Sequence, residues 1–339
     1  MRKLDENYIN NLEEILGKDS EIKDKLKKVV DKKVNDIVLV GCGANYSQML
    51  LIKYLFDGLS SKYRCNLYHG GEFERKIPKY INKNTIVIGM SHSGNTTEIH
   101  LSLKKVKEQK SAKTIAISNN KDSKISKISD VYFTYPNGEN MSEMKLVLLY
   151  QLAIILNELK NEPLPEILKK ELNNLPKKLY QAHNKYLKKA KIFAKNNKDR
   201  KLIYSMGCGP TMGAAFAFGN CKLMEMQWKD SGVLNASNFF HGPLEVTDDK
   251  RYFLLFNAQD KFSDHIKRVK EYLNFKNTNF HYIDTSEVYQ YKNDISKEYI
   301  SPILLWPAMT IYAWQLEEET SHNLDARRNM GKEGTEYIS

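Results

Sequence analysis

The sequence predicts an α/β protein made of two copies of one parallel-sheet unit. The run Val38-Leu-Val-Gly-Cys-Gly43 returns as Tyr204-Ser-Met-Gly-Cys-Gly209, an offset of 166 residues from Gly41 to Gly207. The same offset carries Glu72-Phe73 onto Asn238-Phe239 and Thr85–Met90 onto Arg251–Phe256. Three landmarks at one offset, without a gap, mark a duplication of domains rather than a solenoid. Within each copy, short β-branched apolar runs bounded by Gly or Ser alternate with helical stretches, the pattern of β-α-β units around a parallel sheet.

Taken in order, residues 1–35 read as a helical lead-in. Ile37–Val40, Ile86–Met90 and Thr114–Ser118 are apolar enough to be strands buried on both faces. Tyr46–Leu59 and Thr97–Lys110 read as the helices between them. Met144–Leu159, apolar and periodic, and Glu166–Asn197, Lys-rich, read as long helices joining the copies. In the second copy Leu202–Ser205 and Tyr252–Phe256 are strands, Thr211–Gln227 is a helix, and residues 303–325 close the chain as another. The expected division is a lead-in (1–35), a first domain (36–160), linking helices (161–200), a second domain (201–320) and a tail (321–339).

The 339 residues leave ample chain for a core. The net charge of +11 comes from lysines spread along the chain rather than gathered in a block, which argues against a nucleic-acid footprint. Cys42, Cys65, Cys208 and Cys221 fit no zinc spacing and read as free thiols of a reducing cytoplasm. The N-terminus has no apolar signal-peptide region. The longest apolar run, near Leu146–Leu156, is broken by Gln151 and too short to span a bilayer. A cytoplasmic protein with no membrane, nucleic-acid, metal or cofactor partner is expected.

The sharpest local signal is Ser91-His92-Ser93-Gly94-Asn95-Thr96-Thr97-Glu98, which follows an apolar strand and opens a helix. Unpaired N–H groups and the positive end of the helix dipole converge there with the hydroxyls of Ser91, Ser93 and Thr96, a combination suited to an anion. The stretch is neither a Walker A loop nor a dinucleotide fingerprint: no Gly-Lys-Ser/Thr closes it, and Gly41-Cys-Gly43 lacks the third glycine. An ordinary strand-to-helix turn with a capping hydroxyl is the other reading of these residues. At the equivalent place the second copy has Asn257-Ala-Gln-Asp260, without hydroxyls and with an acid. Only the first copy is therefore expected to hold phosphate, in one site per chain to which both halves contribute.

These residues resemble the sugar isomerase (SIS) family over almost the whole chain, from about Ile37 to Tyr337. Ser91–Thr96 looks like the family's phosphosugar loop, and the doubled organisation like the isomerase half of glutamine–fructose-6-phosphate aminotransferase. The tail His322-Asn-Leu-Asp-Ala-Arg-Arg328 is similar to that of fructoselysine- and fructose-asparagine-6-phosphate deglycases. The resemblance implies two tandem flavodoxin-like SIS domains, a homodimer with the site at the subunit interface, and a sugar phosphate as ligand. It implies phosphate binding by Ser91, Ser93 and Thr96, assisted by Gly43, Asn45 and His92. It makes Glu225 the catalytic glutamate, His241 the histidine of ring opening and proton delivery, and Lys332 the counterpart of a tail lysine that engages the sugar carbonyl. Asn238 stands where the family usually has Glu, and Asn329–Thr335 matches neither relative. Glu143 stands where the deglycases carry an acid, which favours a substrate with an ammonium group.

The chemistry these residues imply is cleavage of a 6-phosphorylated fructosamine to glucose 6-phosphate and an amine, by proton transfer through an enaminol. Glucosamine-6-phosphate deamination or aldose–ketose isomerisation is the alternative, with Lys332 and Lys222 in its favour. A sugar-phosphate sensor without turnover is the third, set against the presence of both Glu225 and His241. Without those roles, Glu225 in an apolar stretch reads as buried, His241 before Gly-Pro as a turn histidine, and Lys332 as surface charge. Arg327 and Arg328 read as fixing the tail through carboxylates. Synthesis of glucosamine phosphate from glutamine is not expected, since no glutaminase segment is present.

Overall fold

A computed structural model describes residues 2–138 and 141–335, which include 2–35 of the lead-in and 321–335 of the tail named above. The chain forms two compact units, Leu4–Pro176 and the remainder, with the division falling inside one long helix.

In the first unit two short helices, α1 (Tyr8–Leu16) and α2 (Asp19–Leu26), precede the sheet. Then follow β1 (Asp36–Gly41), α3 (Ala44–Leu59), β2 (Arg64–His69), α4 (Gly70–Arg75), β3 (Thr85–Met90) and α5 (Thr97–Lys110). The unit continues through β4 (Lys113–Ser118), α6 (Lys124–Ile128), β5 (Val131–Thr134) and α7 (Met141–Leu159) to α8 (Glu166–Asn197). The five strands are parallel in the order β2-β1-β3-β4-β5. This flavodoxin-like order reverses between β1 and β3, which opens a crevice beyond their carboxyl ends.

The second unit runs through β6 (Leu202–Gly207), α9 (Met212–Phe216), a π-helix over Ala217–Met226 and β7 (Asp230–Asn235). A 3₁₀ turn over Ala236–His241 leads to β8 (Tyr252–Asn257), α10 (Ser263–Phe275), β9 (Asn279–Asp284), α11 (Asp294–Tyr299) and α12 (Leu305–Thr320). Its parallel strands take the order β7-β6-β8-β9.

The duplication extends to the hydrogen-bond register. Asp36 pairs with Arg64 as Leu202 does with Asp230, Val38 with Val87 as Tyr204 does with Phe253, and Ile86 with Lys113 as Tyr252 does with Asn279. Every one of these partners is displaced by the same 166 residues. Core seats repeat as well: Val40, Phe73, Val87 and Leu103 lie in one core, Met206, Phe239, Phe253 and Val269 in the other. Burying each such side chain stabilises a domain by roughly 1.5–3 kcal/mol. The repeated Gly-Cys-Gly has a steric reason. A Cβ on Gly41 would lie 2.7 Å from the Tyr46 nitrogen, and one on Gly207 2.4 Å from the Thr211 oxygen. Gly43 and Gly209 take φ of 54° and 55°. Only glycine lets the strand end meet the next helix so closely and turn with positive φ.

Two elements depart from expectation. The closing helix expected over 303–325 is a 3₁₀ turn (Ser301–Leu304) followed by α12, which stops at Thr320 where Ser321 turns left-handed. Thr211–Gln227 was predicted as a regular helix, but it begins as a 3₁₀ turn, has one α-helical stretch and widens into a π-helix over Ala217–Met226. Gly219 sits inside the widened part, where a Cβ would come within 2.7 Å of the Val233 side chain, so the helix lies close on β7. The long helix of Lys-rich pattern has the predicted bounds, Glu166–Asn197. Among the described residues no helix is long and apolar enough to cross a membrane.

Candidate active site

In the first unit the loop after β3 and the turn after β1 stand at the carboxyl edge of adjacent strands, at the point where the strand order reverses. Ser91 is fully buried, and its Oγ lies 2.7 Å from Thr96 Oγ1 while accepting the Gly94 N–H at 3.1 Å. Ser93 is exposed and accepts the Asn95 N–H at 3.2 Å. Thr96 occupies the cap position of α5, yet its side chain makes no capping bond. The hydroxyls thus shape the loop rather than cap the helix, which favours the anion reading over the ordinary capped turn. Gly94 takes φ 68°, and a Cβ there would strike Ser123 Oγ at 2.1 Å. A side chain at this position is excluded by its packing.

His92 lines the loop from the other side. Its Nδ1 is 3.0 Å from Tyr135 Oη and its Nε2 3.3 Å from Asn119 Nδ2. Burial, then the nearby Lys145 charge, holds its imidazole below the usual histidine range, so the neutral form lines the loop. Asn45, in the first turn of α3, accepts from Lys145 Nζ at 3.0 Å. Lys145 is buried and lies 5.7 Å from the centroid of the Tyr135 ring. The loop, Asn45, His92, Tyr135 and Lys145 therefore form one connected group. Sequence reasoning missed Tyr135 and Lys145, whose contacts with His92 and Asn45 join residues far apart in the chain. Glu143 is fully buried, and after desolvation its charge is the further cause that holds the Tyr8 hydroxyl well above the usual tyrosine range.

In the second unit Glu225 sits in the last turn of the π-helix, with its side chain 27 % exposed. The expected burial is thus partial, and the apolar neighbours Met224 and Trp228 are exposed too. Glu225 Oε1 is paired with Arg327 Nη2 at 3.2 Å, which meets the expectation of a tail held through a carboxylate. Arg328 departs from it: its guanidinium lies over the Trp228 ring at 4.2 Å. His241 is exposed at the end of its 3₁₀ turn, before Gly242 with φ 140°. Lys332 is exposed, between Gly331 and Gly334, both with positive φ. All four cysteines are free thiols. No cluster of three or more His, Cys, Asp or Glu fit for a metal occurs among the described residues.

Comparison with known proteins agrees with this architecture. Residues 32–156 match the SIS domain. The fructosamine deglycase of Bacillus subtilis is 29% identical over 317 residues, covering 92% of this chain and 96% of its own. The fructoselysine 6-phosphate deglycase of Escherichia coli is 25% identical, covering 96% of this chain and 94% of its own. A solved Bacillus subtilis structure described as a phosphosugar isomerase superposes with a TM-score of 0.85 at 27% identity, covering 92% of this chain and 98% of that one.

Proposed function

We propose that this chain, whose residues 32–156 match the SIS domain and which is similar over nearly its full length to two deglycases, cleaves a 6-phosphorylated fructose–amino acid conjugate to glucose 6-phosphate and the free amine. The observation that carries the reading is the loop Ser91–Thr96, whose paired hydroxyls leave the start of α5 uncapped by any side chain. Likeness to two deglycases over nearly the full length supports the amine-bearing substrate.

The phosphate seats on Ser91, Ser93 and Thr96, with Gly43, Asn45 and His92 completing the cradle. His241 delivers a proton to the ring oxygen as the sugar opens to the C2 ketone. Glu225 removes a proton from C1, and the C2 oxygen is protonated, giving an enaminol. Return of the proton at C2 leaves an imine at C1, which water hydrolyses to the aldehyde of glucose 6-phosphate and the amine. A base held against the carbon acid contributes about 10²–10⁴-fold. Phosphate binding, remote from the reacting carbons, offsets the cost of positioning them. Glu143 serves the substrate ammonium, and Lys332 closes the carbonyl end. The active form in this reading is a cytoplasmic homodimer.

The test is incubation with 6-phosphofructosyl-lysine and, separately, with glucosamine 6-phosphate. Glucose 6-phosphate from the first, lost in Glu225→Gln and His241→Ala, is the expected result. Fructose 6-phosphate and ammonia from the second, with nothing from the first, would replace the deglycase by a deaminase. Binding without turnover of either would leave a sensor.

A further inference from the structure

The chain leaves the π-helix through an unusual corner. Trp228 follows Gln227 with φ 53°, a left-handed conformation that costs a non-glycine residue about 1–3 kcal/mol and persists only where its surroundings hold it. What holds it is the tail. Beyond α12 the backbone turns left-handed at Ser321 and runs back across this corner. Thr320 Oγ1 donates to Gln227 Oε1 at 3.3 Å, and the His322 ring meets the Trp228 ring edge-on at 4.4 Å. The Arg328 guanidinium covers the same indole at 4.2 Å. Leu324 is buried, and its N–H donates to Glu317 Oε1 at 2.9 Å. Arg2 reaches both Glu317 oxygens at 2.7 and 3.1 Å and Asp325 at 2.6 Å, so the strap is pinned at a second point.

Within this strap Arg327 is itself immobilised. Its Nη1 donates to the carbonyls of Leu324 at 2.7 Å and Ala326 at 3.0 Å, which leaves Nη2 pointing at Glu225 Oε1, 3.2 Å away. We propose that Arg327 is a positioning residue for Glu225: it fixes Oε1 through an ion pair, so that Oε2 is the oxygen that takes and returns the substrate proton. The inference rests on the reading of Glu225 as the proton-transfer base. It adds a purpose for the strap, which carries the guanidinium to the carboxylate in a set geometry. A π-helix and a strained corner beside the glutamate fit this, since such irregularities gather where a side chain must be aimed.

The experiment compares the parent with Arg327→Ala and Arg327→Lys in the full chain. Turnover of 6-phosphofructosyl-lysine is one assay; wash-in of deuterium at C1 of fructose 6-phosphate, which needs no amine, is the other. Since misplacing a reacting group by about 1 Å costs up to ~100-fold, Arg327→Ala should lower kcat about 10–100-fold with little change in KM. Lysine should restore part of the loss, and millimolar guanidinium added to the alanine variant another part. Acrylamide quenching of Trp228 reports the strap without any substrate, because Trp228 is 38% exposed whereas Trp306 and Trp314 are 2% and 7%. It should stay unchanged, as Arg328 and His322 still cover the ring.

Unchanged or faster turnover in Arg327→Ala would overturn the inference while leaving the deglycase reading intact. So would a loss accompanied by a raised KM, greater quenching and no rescue, which is the signature of a merely structural role. A parent that exchanges the C1 proton but releases no glucose 6-phosphate would sink the deglycase reading alone, with Arg327 still judged by exchange. A parent that does neither removes Glu225 as a base, and the inference falls with it.

Discussion

The loops after β3 and β8 hold equivalent places in the two copies and are built differently. In the first, Ser91–Thr96, two hydroxyls pair with each other and glycine fills the position packed on Ser123. In the second, Asp260 stands at the place of Gly94, and its Oδ1 accepts the Phe262 N–H at 2.9 Å, just ahead of α10. The Ser263 N–H goes instead to the Asp260 backbone carbonyl at 3.1 Å. In the proposed reading the first helix start is open to the substrate phosphate, whereas ahead of the second a carboxyl of the chain itself bonds the N–H of the residue before the helix. On that reading one residue closes the second copy's loop to phosphate, while the sheet register is the same in both copies.

The sharpest way to break this contrast is Gly94→Asp, which writes the second loop into the first. The new Cβ would meet Ser123 Oγ at 2.1 Å, and the residue would have to hold φ 68°. The strain costs about 1–3 kcal/mol, and the carboxylate competes for the same N–H groups as the phosphate. A lower melting temperature and no measurable stabilisation by glucose 6-phosphate are expected by thermal shift. Retention of phosphate binding would show that the glycine matters for packing only.

A milder intervention leaves the backbone alone. Ser91→Ala and Thr96→Val each remove a hydroxyl, and a hydrogen bond to a charged group is worth about 1.5–3 kcal/mol. Each should weaken glucose 6-phosphate binding ~10–100-fold by calorimetry. The double variant should lose less than the product of the two, because the hydroxyls also bond each other at 2.7 Å. Fully multiplicative losses would mean that each hydroxyl acts alone.

The same contrast explains what the sequence disclosed. Strands β1, β3, β4, β6 and β8 were legible because they lie inside their sheets, where burial on both faces demands unbroken apolar runs. The four that were not, β2, β5, β7 and β9, are the edges of the two sheets. Arg64-Cys-Asn-Leu-Tyr-His69 and Asp230-Ser-Gly-Val-Leu-Asn235 mix polar with apolar residues, since one side of an edge strand has no neighbour to exclude water. The repeat offset nonetheless relates β2 to β7. At the site, the loop was visible as a local motif, and Glu225 and His241 through family resemblance. Lys145 beside Asn45 and Arg327 beside Glu225 were not, because each contact joins residues about a hundred positions apart and has no local pattern.

The smallest effect on catalysis, and the clearest on the second loop, belongs to Asp260→Asn. Burial pushes the Asp260 carboxyl up from 3.8 to about 7; the Phe262 N–H pulls it down, and the Glu298 charge pushes it further up. Between about pH 4 and pH 7 the native chain holds a proton that the unfolded chain has released, so stability falls as pH rises through that window, by at most ~1.4 kcal/mol per unit. Above the upper limit the burden is complete. Asparagine keeps an oxygen for the Phe262 N–H and carries no charge, so the variant should gain stability over the parent as pH rises, with little difference at the acid end. Melting curves of both proteins across this range read the difference directly, while affinity for glucose 6-phosphate should stay within about 2-fold, well under the cost of a single charged hydrogen bond. A parent-minus-variant difference that does not vary with pH would mean that water reaches the carboxyl. Appearance of a second phosphate site in the variant would instead show that charge, rather than occupied space, keeps that helix start closed.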